Sequence, residues 1–201
     1  MSETPRKKDL IRVSCAALCR IEIDGKLLLE INKNRGDVLT PIGGALEFHE
    51  EAQAFLESIG AVFQKGSDLR LVIPTSSLPA FREWFLRKEG RETDPLRELR
   101  EELIEEHGIL PEWPAEEPEI SFLRMVELEE ATTRKDQAGM LTHYFYEIFS
   151  ARLPAEVESA CVSAASRPDG TLHLLSRGEM AATGAHGALL VAETSRIVID
   201  S

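Results

Sequence analysis

The chain has little of what several function classes require. Its cysteines are three in 201 residues, Cys15, Cys19 and Cys161, an odd count without metal-site spacing. That excludes a disulfide framework or a zinc cluster as the organising element. In "VSCAALCRIEI", Cys15 and Cys19 read as small apolar strand residues, and a reduced, cytoplasmic setting is expected. Positive charge is also short, with 23 basic residues against 35 acidic ones and a formal charge of −12. Such a chain repels nucleic-acid backbones and anionic membranes, so non-specific duplex binding is excluded as a function. Handling phosphates would then require a metal ion or a local basic pocket. No apolar run approaches the ~20 residues of a membrane span. The opening "MSETPRKKDL" is polar and is not expected to be a signal peptide, with Arg6, Lys7 and Lys8 as a solvated end. Internal repeats and low-complexity tracts are missing too. His49, His107, His173 and His186 show no metal-ligand spacing among themselves.

What is present is an ordinary globular composition, 43% apolar and 29% charged, long enough for one domain with an elaboration. "RVSCAALCRIEIDGKLLLEIN" reads as two strands joined at Asp24-Gly25, a strong hairpin signal. "HEEAQAFLESIGA" has helical spacing, with Ala52, Phe55, Leu56 and Ile59 on one side and Gly60 as its stop. "DLRLVIP" predicts a short strand closed by Pro74, and "SLPAFREWFLRKEG" a second helix ended by Gly90. "EISFLRMVELEEA" and "LTHYFYEIFSARL" alternate like strands on either side of the polar "TTRKDQAG" turn. On the second of these, alternation sets Tyr144 and Tyr146 on one face and His143 with Glu147 on the other. "GTLHLLS" predicts another strand, and "RGEMAATGAHGALLVAETSRI" helical pieces. The order points to a mixed α/β architecture. Trp84 and Trp113 are expected to pack rather than to stack on bases.

The segment "DPLRELREELIEEHGIL", residues 94–110, holds six acidic side chains and two arginines. Asp94 suits an N-cap, Pro95 the first helical position and Gly108 the stop, so a helix is expected over 95–107. Glu98, Glu101 and Glu102 stand at i, i+3 and i+4, where their carboxylates converge. Glu105 and Glu106 follow one turn later. Leu96, Leu99, Leu103 and Ile104 form the apolar stripe. Like charges at these spacings cost a few tenths of a kcal/mol each, roughly, unless compensated. Arg97 and Arg100 compensate in part, so spacing alone favours a solvated, salt-bridged face. The competing reading is a site for a hard divalent cation such as Mg²⁺, held by a few carboxylates.

"RELREEL", Arg97 to Leu103, resembles the Arg-Glu-apolar-x-Glu-Glu core of the Nudix box. "PIGGALEFHEE" resembles the box's glycine opening, with Gly44 followed six positions later by Glu50. The flanking "IDGKLLLEINKNRGDVLTPIGG", "THYFYEIFSARL" and "LHLLSRGEMA" are similar to the strands around such a box. In the usual box the glutamate precedes the arginine by eight positions, whereas Glu50 precedes Arg97 by 47. Residues 51–93 therefore read as an insertion, helix–strand–helix, in a single domain spanning 1–201. The interrupted pattern resembles the Nudix domains associated with bacterial SMODS nucleotide-signalling defence systems.

The resemblance implies a Nudix-type α/β/α sandwich with a mixed sheet. It also implies hydrolysis of a nucleoside diphosphate linked to another group, dependent on Mg²⁺ or Mn²⁺. Glu98, Glu101 and Glu102 would be the metal ligands, Arg97 would hold the carboxylates in place, and Gly43 and Gly44 would let the backbone approach the site. Two alternatives stay open. The first motif glutamate is Glu50 or Glu89, which also stands eight residues before Arg97. The ligand register is Glu98/Glu101/Glu102, keeping the arginine but setting Ile104 where the family has glycine, or Glu102/Glu105/Glu106, setting Glu101 where it has arginine. The general base is open among Glu50, Glu89, Glu127 and Glu147. The expected partner is a nucleotide, neither a duplex nor a membrane, and a homodimer is allowed. The rival function is a nucleotide sensor without turnover.

Overall fold

The structure, a computed structural model, describes residues 9–33, 37–132, 139–183, 185–186 and 189–199. Arg6, Lys7, Lys8 and most of the "TTRKDQAG" turn lie outside the described residues, as does the side chain of His186. The elements in chain order begin with strands β1 (Leu10–Arg20), β2 (Glu22–Ile23), β3 (Lys26–Asn32), β4 (Val38–Pro41) and β5 (Gly43–Ala45). Helix α1 (Glu50–Ser58), strands β6 (Val62–Phe63) and β7 (Arg70–Pro74), and helix α2 (Leu78–Arg87) follow. Helix α3 (Leu96–Arg100) runs into a wider helical turn, Glu101–Glu106. Strands β8 (Glu119–Ala131) and β9 (Leu141–Arg152), helix α4 (Ala155–Ala165) and strand β10 (Leu172–Leu175) come next. The chain ends in α5 (Arg177–Thr183), β11 (Ala185–His186), β12 (Leu189–Val191) and α6 (Glu193–Ile199).

One sheet has the order β6-β7-β1-β9-β8 with β5 paired to β1, the other β10-β3-β4-β12-β11 with β2 paired to β3. The second sheet is mixed, since β12 runs parallel to β4 while its other described pairings are antiparallel. The fold is α/β. Asp24 and Gly25 both take positive φ, 50° and 73°, the conformation that a two-residue hairpin between right-twisted strands demands.

The chain divides into two compact units, to both of which β1, β8 and β9 contribute. The first comprises 1–17, 45–93 and 125–147. Here the segment read as helix–strand–helix carries two strands: β6 pairs with β7, and β7 pairs with β1 from Leu10↔Pro74 to Ser14↔Arg70. The extra strand is only two residues long, too short to leave an alternation signal. Phe81, Trp84 and Phe85 of α2 are buried and stack with Phe145 and Phe55. Arg91 is the largest side chain that is fully buried among the described residues. Its guanidinium donates to both Glu147 oxygens at 2.9 and 3.1 Å, to the Phe85 carbonyl and to the Glu92 carbonyl, and lies 3.8 Å over the Phe85 ring.

The second unit comprises 18–44, 94–124 and 148–201. Its core joins Cys19, Ile23 and Leu28 from strands, and Ile21 and Ile42 from the links between strands, to Leu99 and Leu103 from the acidic helix and to Val157, Cys161 and Ala164 from α4. Trp113 packs against this cluster. The C-terminal segment expected to be helical also contains a strand, because the apolar run Leu189–Val191 pairs with β4. Among the described residues no helix is long and apolar enough to cross a membrane.

Removing one partner of a buried ion pair strands the other charge, at a cost of about 3–5 kcal/mol. Arg91→Ala is expected to lower the melting temperature by about 10 °C or more. Arg82→Ala, which breaks a surface pair with Glu127, is expected to leave the melting temperature nearly unchanged. Equal losses in the two variants, measured by calorimetry, would contradict this ordering.

Candidate functional site

The acidic segment differs from the uniform helix expected over 95–107. The Leu99 N–H bonds the Pro95 carbonyl at 2.9 Å in ordinary helical spacing, and Asp94 accepts from the Leu96 N–H at 3.0 Å. Further on, the His107 N–H reaches five residues back to the Glu102 carbonyl at 3.0 Å, the signature of a π turn. Gly108, at φ 58°, then turns the chain out, and the N–H groups of Ile109 and Leu110 satisfy the Leu103 carbonyl. Leu99 and Leu103 fix this segment in the core of the second unit, which determines where its carboxylates lie.

Glu98 is turned inward and is only 9% exposed. A Cβ placed on Gly44 would collide with the Glu98 carboxylate, so the backbone of β5 and this carboxylate meet at the closest approach that a missing side chain allows. Gly43 has φ 140°, a conformation that glycine adopts freely. Arg97 bridges two of the acids, with Nη2 2.8 Å from Glu98 Oε1 and Nη1 donating to Glu101 Oε2 at 2.9 Å. Burial pushes the Glu98 carboxyl up to about 7; Arg97 opposes this, and Glu101 and Glu102 add to it.

Glu102 is buried one turn further on, where two residues unforeseen by sequence reasoning meet it. His107 Nε2 lies 2.8 Å from Glu30 Oε2 and 3.4 Å from Glu102 Oε2. Glu30, on β3, also accepts a long bond from Thr40. Burial alone would lower the His107 pKa, but the facing Glu102 and Glu30 carboxylates outweigh that and raise it to about 9. Burial pushes the Glu30 carboxyl upward as well. No helical spacing announces His107, because five residues along an α-helix point to a different face. Only the π turn brings it round to Glu102. Glu30 sits 77 positions away in sequence and gives no local signal.

Thus Gly44, Arg97, Glu98, Glu101, Glu102, Glu30 and His107 gather in the second unit, with Gly43 beside them in the chain. Glu105 and Glu106 are exposed. Glu50 begins α1 and Glu89 follows α2; both belong to the first unit and both are exposed. Of the other carboxylates considered as a base, Glu147 is enclosed by Arg91 and Lys88. Glu127 bonds Arg82 and His143; burial would raise its carboxyl, but those two partners hold it below the usual range. Tyr144 and Tyr146 stack on one face of β9, centroids 5.5 Å apart.

Among the described residues, the group whose ligand atoms all lie within 4.8 Å of one another is Glu30, Glu102 and His107; Glu98, Glu101 and Glu102 form no such group, Glu98 and Glu101 being joined through Arg97. Glu102 Oε2 is buried without a hydrogen bond among the described residues, with His107 3.4 Å away as its ion-pair partner. In comparison with known families, the chain matches the one described as the SMODS-associated NUDIX domain over residues 10–198. No curated protein and no solved structure matches it.

The pKa shifts at Glu98 and His107 share one sign. Each group holds its proton to higher pH in the folded chain than in the unfolded one, Glu98 to about 7 from 4.5 and His107 to about 9 from 6.5. Stability is therefore fullest below the unfolded values and is lost as pH climbs through the folded ones. In metal-free buffer the melting temperature should fall between about pH 5 and pH 9. Glu98→Gln should flatten the part of that decline below about pH 7. A melting temperature that rises across this window would refute the assignment.

Proposed function

The chain belongs to the SMODS-associated NUDIX domain family, and from that premise we propose that it is a divalent-metal-dependent pyrophosphohydrolase acting on a nucleoside diphosphate linked to a second group. The observation that carries this reading is the seating of the Glu98 carboxylate against Gly44, with Arg97 tied to both Glu98 and Glu101. A solvated acidic face needs neither a glycine to admit a carboxylate nor an arginine to orient two of them. Two features therefore support the register Glu98/Glu101/Glu102 over Glu102/Glu105/Glu106: this seating, and the exposure of Glu105 and Glu106. Residues 51–93 are taken as an insertion interrupting the motif between Gly44 and Arg97. The three cysteines are free and buried, in keeping with a reduced, cytoplasmic setting.

Glu98, Glu101 and Glu102 would hold the ion, and Gly43 and Gly44 would leave room for the diphosphate beside them. Mg²⁺ or Mn²⁺, when bound, neutralises the diphosphate and lowers the pKa of a bound water. Arg97 fixes two of the carboxylates, so they need no reorganisation when charge develops. The general base would be a further carboxylate outside this ligand set, drawn from Glu50, Glu89, Glu127 and Glu147, to which the metal-bound water gives its proton. Glu127 and Glu147 are poorer choices, because each is already committed to an arginine.

Hydrolysis should be screened with Mg²⁺ over dinucleotides, nucleotide sugars such as ADP-ribose, and nucleoside triphosphates. Turnover of a diphosphate-linked nucleotide is expected. Glu98→Gln and Glu102→Gln should lower kcat by about 10²–10⁴, and Glu106→Gln should leave it within about threefold of the parent. Gly44→Ala should displace the Glu98 carboxylate and cost about tenfold or more in kcat while leaving the fold intact. A ligand that raises thermal stability by about 2.7 kcal/mol at a hundredfold excess over Kd, yet is recovered unchanged, would identify a sensor and overturn the catalytic reading.

A further inference from the structure

We propose that Glu30, Glu102 and His107 form a mixed oxygen–nitrogen site that binds a first-row transition-metal ion, with Mn²⁺ as the probe, in preference to Mg²⁺. The proposal deepens the metal reading above, since Glu102 is shared. It stands on Glu30 and His107, however, which that reading does not use.

The three side chains come from separate places, β3, the π turn and its end, and each offers a ligand atom within 4.8 Å of the others. Of the two spacings at His107 Nε2, the wider is that of a coordination shell, and the narrower, a hydrogen bond in the metal-free chain, would open by roughly a few tenths of an ångström. His107 Nε2 stands 2.8 Å from Glu30 Oε2 and 3.4 Å from Glu102 Oε2. Adjacent ligands bound at ~2.1 Å in octahedral or tetrahedral geometry lie roughly 3.0–3.4 Å apart. A second observation points to a missing occupant. Nε2 can carry only one proton, and Glu30 is its nearer acceptor. Glu102 Oε2, on a residue 9% exposed, is left with no hydrogen bond among the described residues. A metal ion among the three atoms would displace the Nε2 proton to solvent, take the Nε2 lone pair, and satisfy that oxygen and Glu30 together.

The donor set decides the ion class. Mg²⁺ takes oxygen ligands and gains little from imidazole, whereas first-row ions accept nitrogen and carboxylate together. The bridge between the chemistries is Glu102, which lies four residues beyond Glu98 on one side and contacts His107 on the other. An ion at this second position would fix Glu102 for its role beside Glu98.

The test uses the whole chain, stripped with a chelator, and metal alone. Mn²⁺ should bind at least about tenfold more tightly than Mg²⁺ in calorimetry. Pulsed EPR of the Mn²⁺ form should show ¹⁴N modulation from a coordinated imidazole. That signal should survive in Glu98→Gln and in His143→Gln and vanish in His107→Gln, which should also lose the preference for Mn²⁺. Absence of ¹⁴N coupling in the unmodified protein overturns the proposal without reliance on any variant. So does loss of Mg²⁺ and Mn²⁺ affinity in equal measure in His107→Gln. Failure of the hydrolysis reading is told apart because it would appear as lack of turnover with the nitrogen signal intact. Mg²⁺-supported turnover without that signal would sink this inference alone.

Discussion

The second unit depends on how four carboxylates are tolerated around one short helical segment. Glu30, Glu98 and Glu102 are buried and Glu101 is half-exposed. Two internal cations face them, each straddling a pair: Arg97 between Glu98 and Glu101, and His107 between Glu30 and Glu102. Ionised, four acids against two cations leave a formal deficit of two positive charges. In a site of low effective dielectric such a deficit cannot be ignored, since like charges a few ångströms apart repel by several kcal/mol, roughly. The chain can close it with protons, which is what the upward displacement of Glu98 and Glu30 expresses. A divalent ion closes it with the carboxylates left ionised.

The same balance bears on the proposed function of an acidic protein. With a charge of −12 the chain as a whole repels a nucleoside diphosphate. On the proposed reading, attraction would be local and would come from an ion held where the carboxylates are densest. The elements in which Arg91 binds Glu147 follow a different logic. There the guanidinium finds a full set of acceptors and a ring, so the pair is closed and calls for no additional charge. One buried acidic environment is complete, and the other is built to receive something.

Most of the fold could be read in the chain because its signals are local. The Asp24-Gly25 turn, the Gly60 stop and the alternating runs of β8 and β9 each rest on neighbours in sequence, whereas α2 is capped by Lys88, in a left-handed conformation, two residues before the Gly90 expected to stop it. The motif "RELREEL" with its glycine opening made Glu98, Arg97 and Gly44 legible as a group. What escaped notice depends on tertiary contacts. β6 is two residues long, and β12 is an apolar triplet that becomes a strand only by pairing with β4. Glu30 lies on a strand whose other residues read as plain core. His107 carries no signal against the other histidines, with which it has no metal-ligand spacing, and the α-helical geometry expected over 95–107 fails where it meets Glu102.

That failure bears on the register of the motif. At 100° per residue, the fifth position beyond Glu102 on an α-helix would point about 140° away from it. With backbone bonds spanning five residues, one turn takes up the extra position and the two side chains face each other. In the proposed register Gly108 ends the helix four positions beyond Ile104, the position at which the family has glycine, and the π turn takes up one of those four. It also separates the acids into two sets, Glu98 and Glu102 inward and Glu105 and Glu106 outward, although the sequence repeats the same Glu-Glu pair twice. A widened turn of this kind sacrifices good backbone hydrogen bonding, so its presence calls for a compensating contact. The pairing of His107 with both Glu30 and Glu102 is that contact, and it ties the backbone irregularity to the chemistry of the carboxylates beside it.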